Sequence, residues 1–402
     1  MQSIRISATQ RIAFAVSALV VGAAIAAPAS AATLSVGAGK TYTTPCKAFA
    51  AAKAGDTVEI QSGTYSGDVC AITANKLTIR GVNGRPKINA AGKNSGGKGI
   101  WVVRGNDITI DNVEMYGAKV PDKNGAALRL EGTNFTLLNS FLHDNENAVL
   151  SGENTASTVT MEYNEFGHNG YGDGYSHNIY IGKVAKLYFR YNFSHDANVG
   201  HNLKTRGVYN MIAYNRFSSL RPGETGTTAA GKPSYEIDVP NGGTTYIIGN
   251  VIMQPASHNN PALVAYGEEG ATGAGRKQDL YVINNTFLNE DSARGTFVMI
   301  GSTVTTPAKL INNIFSGTGT ITGQTAAVKK TNYQSLAPSF VNRAAYDLRL
   351  NTAPLVVNAG SNPGSSAGGL ALKPTASYKH TASYVTRATL GSTIDIGAYE
   401  VQ

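Results

Sequence analysis

The chain has 402 residues, of which 42% are hydrophobic, only 15% are charged and 45 are glycine, with a formal charge of +8 at pH 7. Abundant glycine with sparse charge argues against a helical or disordered chain and for short strands joined by tight turns. The basic excess suits an anionic ligand such as an acidic polysaccharide, and the lack of a basic run argues against nucleic acid.

At the start, Arg5 and Arg11 precede an apolar run over residues 12–27 and an Ala29-Ser30-Ala31 cleavage pattern. This predicts a Sec-type signal peptide over 1–31, whose removal would bring the charge from +8 to +6 by loss of the two arginines. No later apolar run has the length a bilayer requires, so a secreted or periplasmic monomer without a membrane partner is expected. Residues 32–402 are expected to form a single domain, with an N-terminal cap over about 33–56, coils over 57–317, and irregular C-terminal coils and cap over 318–402.

Within the cap, the Ala-rich stretch 45–54 has helical composition. Cys46 and Cys70 are the only cysteines. Export into an oxidising space makes a disulfide their natural reading, stapling the cap to the first coil.

From residue 107 to 317 one pattern returns every 23–35 residues: an apolar strand, an asparagine, then an aromatic or aliphatic residue. The asparagines are Asn112, Asn139, Asn164, Asn192, Asn215, Asn250, Asn285 and Asn313. A second strand, usually closed by glycine, lies between them, as in 128–132, 148–152, 179–182, 203–207 and 263–267. Short strands without a helical period predict an all-β solenoid, a right-handed parallel β-helix whose coils stack about 4.8 Å apart. The repeated Asn then has a structural role, because Asn tolerates left-handed backbone and its amide bonds along a ladder. His143, His168 and His195 follow the Asn turn with the same period and are read as structural too.

The opening Ala54-Gly55-Asp56-Thr57-Val58-Glu59-Ile60 with Gly63-Thr64-Tyr65, and the closing Asp395-Ile396-Gly397-Ala398-Tyr399-Glu400, resemble the pectate-lyase-like β-helix superfamily of carbohydrate-active proteins over nearly the whole mature chain. That resemblance identifies a fold well and a reaction poorly.

Alternation along the second strand set points to the chemistry. With Ile179/Ile181, Leu203/Thr205, Ile237/Val239 and Leu263/Ala265 inward, the outward sets are Asn178 and Tyr180; Asn202, Lys204 and Arg206; Glu236 and Asp238; Val264 and Tyr266. Two long insertions, 218–233 and 268–277, border these coils, the second opening on Glu268 and suited to wall a groove. Four coils thus gather amides, cations, carboxylates and phenols, with Asn178, Asn202, Tyr266 and Glu268 as substrate-binding candidates. Such a face suits β-elimination from a uronate polymer. Arg206 and amides would neutralise the carboxylate, and Lys204, with its pKa lowered by a nearby cation, or His177, His201 or Tyr180 would move the proton. His177 and His201, at matching positions before Asn178 and Asn202, read equally well as bases or as buried rings with satisfied nitrogens. Glu236 and Asp238 are the candidates for holding Ca²⁺ or for orienting Lys204 and Arg206.

The Asn202-Leu203-Lys204-Thr205-Arg206 strand, followed by Tyr214-Asn215-Arg216-Phe217, is similar to the region around the catalytic lysine of the chondroitinase B and alginate lyase family. The resemblance implies proton abstraction by Lys204. It does not carry that family's metal glutamates, since Val199-Gly200-His201 stands in their place. Other readings are a glycoside hydrolase using Glu236 and Asp238, a uronate C5-epimerase, and a non-catalytic adhesin.

Overall fold

The computed structural model describes residues 1, 31–218, 232–271, 273, 276–351 and 355–401. All of the expected signal peptide but its first and last residues, and most of the 218–233 insertion, lie outside them. Each coil contributes up to three short strands, and like strands stack in parallel into three sheets of 12, 11 and 9 described strands. Sheet 1 runs from Thr33–Val36 to Val328–Lys330, sheet 2 from Thr64–Ser66 to Tyr333–Ser335, and sheet 3 from Cys70–Ile72 to Thr296–Ile300. One turn of the solenoid is Val184–Arg190 in sheet 1, Phe193–His195 in sheet 2 and Leu203–Thr205 in sheet 3. A parallel β-helix follows, because each strand is too short to bury its apolar side chains except against its copies above and below. In sheet 3, Val149, Ile179, Leu203, Ile237, Val264 and Val298 form one inward column, all fully buried.

The repeated asparagine divides into two neighbouring jobs. From Asn164 through Asn192, Asn215, Asn250, Asn285 and Asn313 to Asn332, each side-chain oxygen accepts the backbone N–H of the equivalent Asn one coil earlier, at 2.8–2.9 Å. The left-handed backbone belongs to the residue just before: Tyr163 (φ 61), Tyr191 (φ 60), Tyr214 (φ 59), Asn284 (φ 52) and Asn312 (φ 57). Asn112 and Asn139 take this left-handed place (φ 57 and 48), and Ser140 fills the ladder position beside Asn139, its backbone N–H bonding Asn164. Left-handed tyrosines are costly, and stacking offsets the cost. Tyr163, Tyr191 and Tyr214 stack at 5.1 and 5.6 Å, and Tyr384 lies on Tyr191 at 4.5 Å.

In the N-terminal segment, Thr33–Val36 pairs with Thr57–Gln61 as the first strand of sheet 1. Helix α1, Pro45–Ala51, buries Pro45, Ala48 and Phe49, with Phe49 edge-on to Trp101 at 5.0 Å. Cys46 and Cys70 are disulfide-bonded, as export would favour. At the other end Val328–Lys330 and Tyr333–Ser335 continue sheets 1 and 2, within the stretch expected to hold irregular C-terminal coils. The C-terminal segment runs back over the coils. Tyr281 Oη accepts the N–H of Ala367, Tyr246 Oη bonds Ser366, and Tyr214 Oη accepts the N–H of Thr375. No helix among the described residues is long and apolar enough to cross a membrane.

Candidate active site

The outward column of sheet 3 is set by its register: Leu150 pairs Tyr180, Tyr180 pairs Lys204, Lys204 pairs Asp238, and Asp238 pairs Ala265. The expected outward placement of Tyr180, Lys204 and Asp238 therefore holds. Arg206, just past the strand, joins them by donating from Nε to the Tyr180 hydroxyl at 2.8 Å. Lys204 and Arg206 lie 5.6 and 5.8 Å from the Tyr180 ring centre, a cation–π arrangement that packs both stems on one phenol.

Two carboxylates complete the cluster. Lys204 Nζ stands 3.1 Å from Asp238 Oδ2 and 3.3 Å from Glu269 Oε1, while Arg206 Nη1 stands 2.7 Å from Glu269 Oε2. Arg206 Nη1 also donates to Asn241 Oδ1. The nearest charged groups to Lys204 are thus carboxylates, not the cation expected to depress its pKa. The Lys204 side chain is 12% exposed and Asp238 3%, whereas Glu269 is 48% exposed. Burial raises the Asp238 carboxyl to about 6, against the pull of Lys204. Burial also opposes ionisation of Glu269, but the bonds from Arg206 and Lys204 outweigh it and hold the carboxyl below its ordinary value. Burial opposes the charge on Arg206 as well, and Glu269 and Tyr180 reverse that, raising it further.

The two histidines line the entry to this column. Their rings stack at 4.5 Å and 11°. The close approach requires glycine at 200, where a Cβ would meet the Ser176 carbonyl oxygen at 2.0 Å. His177 Nδ1 accepts the backbone N–H of His201 at 3.0 Å, and His201 Nδ1 accepts that of Tyr235 at 3.1 Å. With Nδ1 an acceptor, the proton of each neutral ring sits on Nε2, and His201 turns that atom to Asp238 Oδ2 at 3.4 Å. Burial, then the charges of Lys204 and Arg206, lower His177 to about 3. Burial likewise lowers His201 well below its usual value, with His177 and Lys204 adding to it. The structure therefore chooses the satisfied-ring reading over the base reading for both. Their lone pairs are already spent on backbone.

Other expected placements are corrected. Asn178, Asn202 and Glu236 do not face solvent. At the strand entry two successive residues point inward around the corner, and these three occupy the same row as the buried Ala148 and Leu263. They continue a buried amide ladder in which Asn178 Nδ2 donates to Asn202 Oδ1 at 2.7 Å and Asn202 Nδ2 to Glu236 Oε2 at 2.5 Å. Burial raises the Glu236 carboxyl well above its ordinary value, against the hydrogen bond from Asn202. Tyr266 is interior and fully buried, its hydroxyl donating to the Gly243 carbonyl at 2.6 Å. The register aligns Ala265, not Val264 or Tyr266, with Asp238. Of the 267–270 turn, it is Glu269 rather than Glu268 that meets the cations. Nor can Glu236 and Asp238 share a calcium ion, because one carboxyl ends an interior ladder and the other lies under Lys204 on the outer face.

His143, His168 and His195 lie on sheet 2 and its corner. His195 Nδ1 bonds Asp196 at 2.8 Å and its Nε2 stands 3.4 Å from Glu165; His143 repeats this with Asp144 at 2.6 Å and Glu114 at 3.5 Å. His168, His195 and Asp196 bring one ligand atom each within 4.8 Å of one another. The repetition of the same acid–His–acid unit two coils apart fits the structural role expected of them.

The chain matches no protein-family model and no curated protein sequence. Among solved structures it is similar to pectate lyase Pel9A, with 15% identity, a TM-score of 0.54, and coverage of 90% of this chain and 92% of that one. It is also similar to an alginate lyase from Paenibacillus sp. str. FPU-7 (15% identity, TM-score 0.39, 76% and 98% of the two chains) and to the PL6 family alginate lyase AlyGC (13%, 0.35, 91% and 58%). The first likeness shows a shared fold, the parallel β-helix.

Proposed function

We propose that the protein is an exported polysaccharide lyase that cleaves a uronate-containing polymer by β-elimination on the outer face of sheet 3. The observation that carries this reading is the convergence of Lys204 and Arg206 on one carboxylate, 3.3 and 2.7 Å away, at an open position on that face. A uronate must have its carboxylate charge neutralised before the proton beside it becomes acidic, and a guanidinium held by Tyr180 and Asn241 is built for that. Lys204 passes its own proton to Asp238, whose burial makes it a readier acceptor than an ordinary carboxylate. The neutral amine then takes the proton on the carbon next to the uronate carboxylate. The electron pair forms the new double bond, and the bond to the leaving sugar oxygen breaks. Tyr180 accepts a hydrogen bond from Arg206, so its own hydrogen is available to the departing oxygen. His201 steadies Asp238 from the other side. No metal enters this scheme.

A hydrolase is the second reading, with Asp238 and Glu269 in place of the expected Glu236 and Asp238. Their carboxyls are pushed in opposite directions, as an acid and base pair requires. Asp238, however, lies beneath Lys204 at 3% exposure and does not reach a substrate.

The test is incubation with a panel of acidic polysaccharides while following the ultraviolet absorbance of the unsaturated uronate. The expected rise is abolished in Lys204→Ala and nearly lost in Arg206→Ala. New reducing ends without absorbance would replace the lyase by the hydrolase, and neither signal on any uronate polymer would remove both.

A further inference from the structure

Glu269 differs from the other partners of the two cations in a way that assigns it a separate task. Lys204 has one fixed partner, Asp238, in the sheet register and 3% exposed. Arg206 has two neutral ones, with Nε on Tyr180 and Nη1 on Asn241. These contacts orient both cations without Glu269. Glu269 itself is half exposed and comes from outside the sheet, on the turn between Gly267 and Gly270. Its backbone is tied down, since its N–H bonds the Pro240 carbonyl at 2.9 Å and the N–H of Gly270 bonds Gly267. Only its side chain is free to leave, by rotation about its own bonds.

We infer that Glu269 is an internal stand-in for the substrate carboxylate: it neutralises Lys204 and Arg206 in the free protein and is exchanged for the uronate carboxylate when substrate binds. This rests on the proposed reading of the site. With Asp238 alone, two partly buried cations share one carboxylate, so a second carboxylate kept in place stabilises the empty site. Exchange of one carboxylate for another leaves the charge balance of the site unchanged, whereas a neutral sugar would have to expel Glu269 with nothing to replace it. The device therefore selects anionic sugars. Its cost is competition, because every binding event must first displace an ion pair.

Removing the competitor must strengthen uronate binding. The probe is a uronic-acid monosaccharide, galacturonate or glucuronate, which carries the carboxylate but no linkage to cleave. Binding is followed by NMR titration at pH 7 and low salt, with glucose as the neutral control. Glu269→Gln keeps the shape of the side chain and is expected to bind the uronate roughly tenfold more tightly than wild type, a factor worth about 1.4 kcal/mol. Glucose, which brings no carboxylate to Lys204 and Arg206, should bind far more weakly than the uronate in both proteins. Unchanged or weaker uronate binding in a folded Glu269→Gln protein, judged by its thermal melt, would overturn the exchange while leaving the lyase reading standing. Arg206→Ala separates the two further: it should lose uronate binding whether or not Glu269 competes. Failure of wild type and Glu269→Gln alike to bind any uronate would overturn both.

Discussion

His177 Nδ1 accepts the backbone N–H of His201 at 3.0 Å, so the side chain of one coil completes the hydrogen bonding of the next. His201 repeats the arrangement with Tyr235. Two rings that a sequence reading places in catalysis are thereby committed to holding the entrance of sheet 3, and only through them to Asp238.

This gives a first prediction. His177→Phe keeps the stack and removes the acceptor, leaving the His201 N–H buried and unpaired at a cost of about 1–3 kcal/mol. Urea unfolding would show the loss directly. Because burial lowers His177 to about 3 and His201 also lies well below its usual value, neither should titrate near pH 6.5. A pH–rate limb near 6.5 that vanishes in His177→Phe or His201→Phe would refute the assignment.

A second concerns Asp238. Its carboxyl is raised by burial to about 6 in the folded chain, against an ordinary value near 4 in the unfolded one. A raised carboxyl binds its proton more tightly in the folded state, so its contribution to stability is present below pH 4 and is lost as the pH rises through 6. Asp238→Asn cannot lose it. The stability of the variant relative to wild type should therefore improve between pH 4 and pH 7, by on the order of 2 kcal/mol. The same variant should lose activity, since Lys204 then has no proton acceptor. A constant difference across that range would count against the raised carboxyl.

How much of this was legible beforehand depends on what each residue's neighbours repeat. The coil period and the asparagines were plain, because stacking forces equivalent residues to recur. Tyr180, Lys204, Arg206 and Asp238 followed from alternation, since Ile179, Leu203 and Ile237 leave no doubt about which residues point inward. Asn178, Asn202 and Glu236 were misplaced because strict alternation has no term for a corner that turns two successive residues inward. Tyr266 was misplaced because Leu263, Val264 and Ala265 are all apolar, so the strand carries no phase and the register alone decides. Glu269 was missed altogether. It reaches the site from a turn, outside any period, and only the doubled acid between Gly267 and Gly270 hinted at it.

A third prediction follows from the misplaced Glu236. A carboxyl whose ionisation burial disfavours should tolerate replacement by an amide, so Glu236→Gln should change stability by less than about 1 kcal/mol while keeping an oxygen for Asn202 Nδ2. Glu236→Ala removes that acceptor and leaves a cavity, and should cost about 2–4 kcal/mol. Had Glu236 been an ionised metal ligand or catalytic acid, the Gln variant would be the inactive one. Paired melts and activity assays of the two variants decide between these.

The last prediction separates the two kinds of asparagine. Asn215 Oδ1 accepts from both the backbone N–H and the side-chain amide of Asn192, and its own Nδ2 donates to the Phe189 carbonyl at 2.9 Å and to Asn250 Oδ1 at 2.9 Å. All of this is buried, so Asn215→Ala strands the Asn192 N–H and the Phe189 carbonyl at once. At about 1–3 kcal/mol for each unsatisfied group, the loss should reach about 3–5 kcal/mol. Asn139 looks identical in the sequence repeat, but its side chain bonds Asp111 at the surface, and its place is fixed by a backbone φ of 48°. Asn139→Ala should cost about 1 kcal/mol, the penalty of a left-handed alanine. Asn139→Gly should recover part of it, because glycine accepts that backbone freely, whereas Asn215→Gly should be at least as damaging as Asn215→Ala. Denaturant unfolding of the four variants reads the contrast. Similar losses at the two positions, or rescue of position 215 by glycine, would mean that the ladder contributes turn geometry rather than buried hydrogen bonds.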